Sequence, residues 1–101
     1  MKIELLYFAG CPSWEQGLKN LQAALADEHL DAEIDLLLIE NDEMADKQRF
    51  LGSPSFRIDG QDLWPEVRDS YHFGCRIYAT EKGFAGAPTT AMLRSKIRSM
   101  T

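Results

Sequence analysis

An apolar run over residues 2 to 8, "KIELLYF", halts at Gly10, Cys11 and Pro12, gives way to a helical stripe, and is answered by a second apolar run, "EIDLLLI", over residues 33 to 39. This succession narrows the possible folds more than any other feature of the chain. The first run is nearly continuous, which suits a strand buried on both faces of a sheet. Between Pro12 and about His29, Trp14, Leu18, Leu21 and Leu25 recur at helical spacing and form one apolar stripe. Pro12 suits the first helical turn, where a missing N–H leaves nothing unpaired. Gly17 costs that helix about 1 kcal/mol relative to alanine, and close packing is the reason to expect there. Two strands joined through a helix run parallel, with a right-handed crossover.

The remaining elements extend this unit. "NDEMADKQRFL" predicts a second helix, with Asn41 or Asp42 as N-cap and with Met44, the stem of Lys47, Phe50 and Leu51 turned inward. "SPSFRIDGQDLW" reads as two short strands joined at Asp59 and Gly60, with Pro54 at the start of the first. Residues 65 to 86 read as irregular, with one short strand at "CRIYA". A closing helix from about Pro88 to Met100 turns Met92, Leu93, Ile97 and Met100 inward. The order β-α-β-α-β-β-α predicts an α/β sandwich with a mixed four-stranded sheet and an insertion before the last helix, in a single domain over residues 1 to 101.

Charge and cysteine content bound the partners. The net charge of -5 argues against nucleic acid and anionic membranes, which both require a cationic footprint. The basic end "RSKIRSM" is read as cations placed at a helix C-terminus. No apolar run approaches the ~20 residues of a membrane span. "MKIELLYF" has Glu4 within it and no small-residue cleavage site, so a cytoplasmic protein is expected. Cys11 and Cys75 are too few and too distant in sequence for a secreted disulfide framework. In a reducing compartment such cysteines are buried, catalytic or metal-bound.

"CPSW" at the first strand-to-helix junction, "SPSF" opening the third strand, and the order of elements together resemble the thioredoxin-like superfamily over nearly the whole chain. In place of the family's second cysteine stands Trp14, so the motif is CPxW rather than CxxC. The resemblance implies that Cys11 is the reactive thiol and that the Ser53-Pro54 peptide is cis, with Ser53 offering its backbone N–H and C=O to an extended thiol substrate. It also implies substrate contacts at Pro12, Ser13, Trp14, Ser53 and Pro54. A thiol or disulfide substrate, either a peptide or glutathione, is the partner. No cofactor is expected beyond glutathione as co-substrate.

Residue chemistry leaves alternatives at each position. Cys11 at a helix start faces unpaired N–H groups that favour the thiolate, yet a free cysteine is equally at home as a small buried hydrophobe. Trp14 fits core packing, or a wall beside Cys11. Cys75 is the only internal candidate for a second catalytic thiol. The alternative is a structural or isolated cysteine, and a bond to Cys11 requires Cα atoms within ~7 Å. His72 reads as a loop or packing residue and His29 as a helix-end cation. None of these has the spacing of a zinc site, and no metal site is expected. With the resemblance, this residue chemistry gives three candidate functions: monothiol thiol–disulfide exchange through Cys11, a redox-inactive binding module of the same fold, or soft-metal binding of mercury or copper by a thiolate pair, the last implied mainly by the resemblance to small thioredoxin-like proteins.

Overall fold

The computed structural model describes residues 1 to 100. Strand β1 (Ile3–Tyr7) leads through helix α1 (Trp14–Asp27) to β2 (Ile34–Leu38), then through α2 (Asp42–Gln48) to β3 (Ser55–Ile58) and β4 (Gln61–Asp62). A short hairpin of β5 (Tyr78–Thr80) and β6 (Gly83–Ala85) precedes the closing helix α3 (Thr90–Met100). The protein is a mixed α/β structure whose four-stranded sheet has the order β2-β1-β3-β4. β1 runs parallel to β2 and antiparallel to β3.

Alternation along β1 sends its side chains to two different cores. Ile3 and Leu5 enter the larger one, with Leu21 and Leu25 of α1, Phe56 and Ile58 of β3, and Leu93 and Ile97 of α3. Leu6 enters the smaller one, with Ile39, Ala45 and Phe50 on the α2 side. Burial on both faces explains why β1 reads as a continuous apolar run while the edge strand β2 stays half-exposed. The β3–β4 turn falls at Asp59 and Gly60, both with positive φ, as the Asp-Gly signal predicts.

Three expectations need correction. α1 begins at Trp14, so Pro12 lies in a turn ahead of the N-cap Ser13 rather than in the first helical turn. The Cys11 N–H donates to the Phe8 carbonyl at 3.1 Å, and this tight turn uses the residues that the helix would otherwise claim. Lys47 does not face inward. It pairs across one turn with Glu43 at the surface while Ala45 is buried, because Asn41 caps the helix through the Met44 N–H and sets its phase. Residues 65 to 86 are not irregular throughout, since they contain the β5–β6 hairpin, and the strand starts at Tyr78 rather than at Cys75. Among the described residues, no helix is long and apolar enough to cross a membrane.

Candidate functional site: two thiols at the Ser53 edge

Ser53 precedes β3, and everything of chemical interest gathers around it. Its side chain is wholly buried and its hydroxyl accepts the Phe8 N–H at 3.3 Å, tying β3 to the end of β1. The Ser53-Pro54 peptide is cis. Pro54 is fully buried against α1, where Gly17 makes room for it. A Cβ on Gly17 would stand 3.0 Å from Pro54 Cγ and 3.1 Å from Phe56 Cζ. The helix-interior glycine therefore serves close packing, and its propensity cost is offset by the approach it permits. The Pro54 carbonyl accepts the Tyr78 hydroxyl at 2.5 Å.

Cys11 reaches this place from the turn after β1. It is buried, with 6% of its surface exposed, and its Sγ donates weakly to the Ser53 carbonyl at 3.6 Å. Cys75 reaches it from the insertion. Residue 75 forms an isolated parallel bridge with Ser53: the Ser53 N–H donates to the Gly74 carbonyl at 2.8 Å, and the Arg76 N–H donates to the Ser53 carbonyl at 3.0 Å. Cys75 is exposed as a residue, and its thiol is near enough to Cys11 to be affected by it. Desolvation of that sulfur, then the neighbouring Cys11 thiol, raise the Cys75 pKa.

The remaining expected contacts sort differently. Ser53 cannot present free N–H and C=O groups to a substrate in this conformation, because residues 74 to 76 already occupy both. Pro54 is likewise closed off by α1 and Tyr78. Trp14 packs on the larger core and stacks on Tyr7, with ring centroids 4.2 Å apart, while keeping part of its surface exposed. Pro12 is exposed, and Ser13 lies beneath Gly86, where a Cβ would fall 2.1 Å from the Ser13 Oγ. The end of the insertion thus rests on the start of α1. His72 is exposed, and His29 takes a left-handed turn after α1. Among the described residues, no three His, Cys, Asp or Glu side chains converge as a metal site.

Sequence reasoning missed Arg76. It is 5% exposed, and its guanidinium pairs with Asp62 at 3.0 Å, meets the Ser55 hydroxyl at 3.2 Å, and donates to the Trp64 carbonyl. It also lies 5.1 Å from the centre of the Tyr78 ring. Gly52 lets this residue in: with φ of 115°, it carries no Cβ where one would stand 2.8 Å from the Arg76 Cβ. Desolvation pushes the Asp62 carboxyl above its usual value even against the pull of Arg76, and pushes the Tyr78 phenol upward so that it stays a donor. The only sequence signal was an arginine beside a cysteine in an otherwise apolar "CRIY", with acids upstream at Asp62 and Glu66.

Comparison of the chain with protein-family models, with curated proteins and with solved structures finds no match.

Proposed function

We propose that this chain is a thioredoxin-like thiol–disulfide exchange protein that works with two thiols, Cys11 and Cys75. The observation that carries the reading is the meeting of both cysteines at Ser53, from segments far apart in sequence: Cys11 Sγ lies 3.6 Å from the Ser53 carbonyl, and Cys75 is the residue bridged to Ser53. The Cys11 thiolate attacks one sulfur of a substrate disulfide. A new S–S bond forms to Cys11, the old one breaks, and the leaving thiolate takes up a proton. Cys75, once deprotonated, attacks the Cys11 sulfur, forms the Cys11–Cys75 disulfide and releases the second substrate thiol. The two electrons that reduce the substrate come from the two cysteines, and a small thiol such as glutathione restores the pair. The cytoplasm, where glutathione keeps thiols reduced, is the proposed setting.

Equilibration in a graded glutathione redox buffer, followed by mass-spectrometric mapping of both cysteines, tests this. The expected product is a Cys11–Cys75 disulfide, replaced in Cys75→Ser by a glutathione adduct on Cys11. An adduct on Cys11 with Cys75 untouched in the wild type reduces the mechanism to one thiol. No change at either residue leaves a binding module with a buried cysteine, which the low exposure of Cys11 would then explain.

A further inference from the structure

The contact between Ser53 and residues 74 to 76 has the form of strand addition by an incoming chain. One residue's N–H and C=O alternate with partners before and after the facing residue, and that facing residue is a cysteine, while Cys11 Sγ lies 3.6 Å from the carbonyl of the same Ser53. Peptides that dock by pairing with an exposed backbone edge make this pattern, with main-chain bonds giving affinity and the facing side chain giving specificity. Here the incoming chain is tethered.

Its two ends are held unequally. On the far side, the Arg76 guanidinium is buried among Asp62, Ser55 and Trp64. On the near side, the Phe73 ring is 41% exposed and leans on Phe8 with centroids 4.6 Å apart, and its N–H meets the exposed Asp42 at 2.8 Å. Gly74 has open space where a side chain would be. The weaker end carries both Cys75 and the carbonyl that occupies the Ser53 N–H. Segments held by few buried contacts and by exposed hydrogen bonds open first.

Resting on the thiol reading above, we propose that residues 74 to 76 are a tethered occupant of a peptide-docking edge, displaced by an extended peptide whose cysteine is in a disulfide. The strap peels from its Phe73 end and pivots near Arg76, so the Ser53 N–H and Cys11 become free together. The peptide offers the carbonyl before its cysteine to the Ser53 N–H, and Cys11 takes its sulfur in a mixed disulfide while the leaving thiolate gains a proton. The strap then returns. Cys75 attacks the Cys11 sulfur, the mixed disulfide breaks, and the reduced peptide leaves because strap and peptide need the same N–H. Resolution and product release are thus one movement.

The test uses Cys75→Ser, so that only Cys11 reacts, with and without Phe73→Ala and Asp42→Ala to loosen the exposed end. One probe is an extended peptide whose cysteine carries a chromophoric aryl thiol. The other is mercaptoethanol carrying the same aryl thiol, which has no backbone carbonyl to offer. Amide exchange at Ser53 reports opening, and far-UV circular dichroism reports the fold. Loosening is expected to speed reaction of the peptide roughly tenfold, as the competent fraction rises by that factor, and to speed the mercaptoethanol probe much less. Equal gains for both probes would show a cover without a docking edge and overturn the proposal. So would an unchanged peptide rate with the Ser53 amide deprotected. If Cys11 in the opened, folded variant reacts with neither probe, the thiol-exchange reading fails first, and this proposal fails with it.

Discussion

The four-stranded sheet and the insertion of residues 65 to 86 are held by different chemistry. The sheet is fixed by apolar side chains that leave water on both its faces: Ile3, Leu5, Phe56, Leu93 and Ile97 on one, Leu6, Ile39 and Phe50 on the other. The insertion contributes Tyr78 to the larger core, but Ile77 and Phe84 stay 71% and 83% exposed. It is tied down instead by Arg76 and by the Tyr78 hydroxyl. Apolar burial is non-directional and tolerates small displacements. A guanidinium among aimed acceptors sets one position, and the position set here brings Cys75 to Ser53, where Cys11 also lies. In this protein the scaffold rests on area and the site on direction.

Substitutions on the two sides should separate these contributions. The largest effect is expected for Phe56→Ala, a fully buried ring between α1, Trp64 and Tyr78. Its loss should lower stability by about 3–5 kcal/mol in urea denaturation and shift the whole cooperative transition. Arg76→Ala should cost about 3 kcal/mol, because Asp62 is left buried without its cation, and pairing it with Asp62→Asn should recover a good part. Its signature is regional, with amide protection lost first around residues 74 to 78. A uniform loss across the sheet would show that sheet and insertion are held in the same way.

Tyr78→Phe removes the hydroxyl that satisfies the Pro54 carbonyl and should cost about 1–2 kcal/mol, read from the same denaturation curves. Gly17→Ala sharpens the comparison on the scaffold side. Helix propensity favours alanine by about 1 kcal/mol, but Pro54 and Phe56 are too enclosed to yield, so the net change is expected to be destabilising by about 1 kcal/mol. A stabilised variant would show that the α1–β3 contact is looser than its geometry.

The smallest expected effect is electrostatic and lies at the opposite end of α1. Glu28 accepts from Arg98 at 2.7 Å and from Arg94 at 2.8 Å, and these bonds hold its carboxyl below the ordinary 4.5. A depressed carboxyl stabilises the fold above its unfolded value and loses that contribution as pH falls through its folded one. The melting temperatures of wild type and Glu28→Gln should therefore differ slightly near neutral pH and converge on acidification below 4.5. Salt near roughly 1 M should narrow the gap as well, since exposed pairs are screened.

Much of the scaffold was legible in the chain. The run at residues 2 to 8, the stripe from Trp14 to Leu25, the Asn41 cap and the Asp59–Gly60 turn each carry a local signal that acts within a few residues. The basic end of α3 was read as cations at a helix terminus, and Arg98 does lie in the last turn; that Arg94 and Arg98 also reach across to α1 had no local signal. At the site, Cys11 stood out as a thiol at an expected helix start, whereas the Ser53–Pro54 pair was singled out by resemblance, since a proline at a strand start is by itself ordinary. What Ser53 bonds to could not be read, because it depends on a segment that returns more than twenty residues later, nor could the burial of Pro54, which depends on α1 packing back from more than thirty residues earlier.

The sequence by itself determined the elements and their order, since periodicity, caps and turns are short-range properties of the chain. Only the tertiary structure decided that Cys75 and Cys11 meet at Ser53, that Arg76 is buried, and that Ser53 already has a partner. The physical reason is that each of these depends on where a loop closes. Closure entropy changes only slowly with loop length, so the outcome rests on what the loop finds when it arrives: here Asp62, the Ser53 edge, and the space left by Gly52.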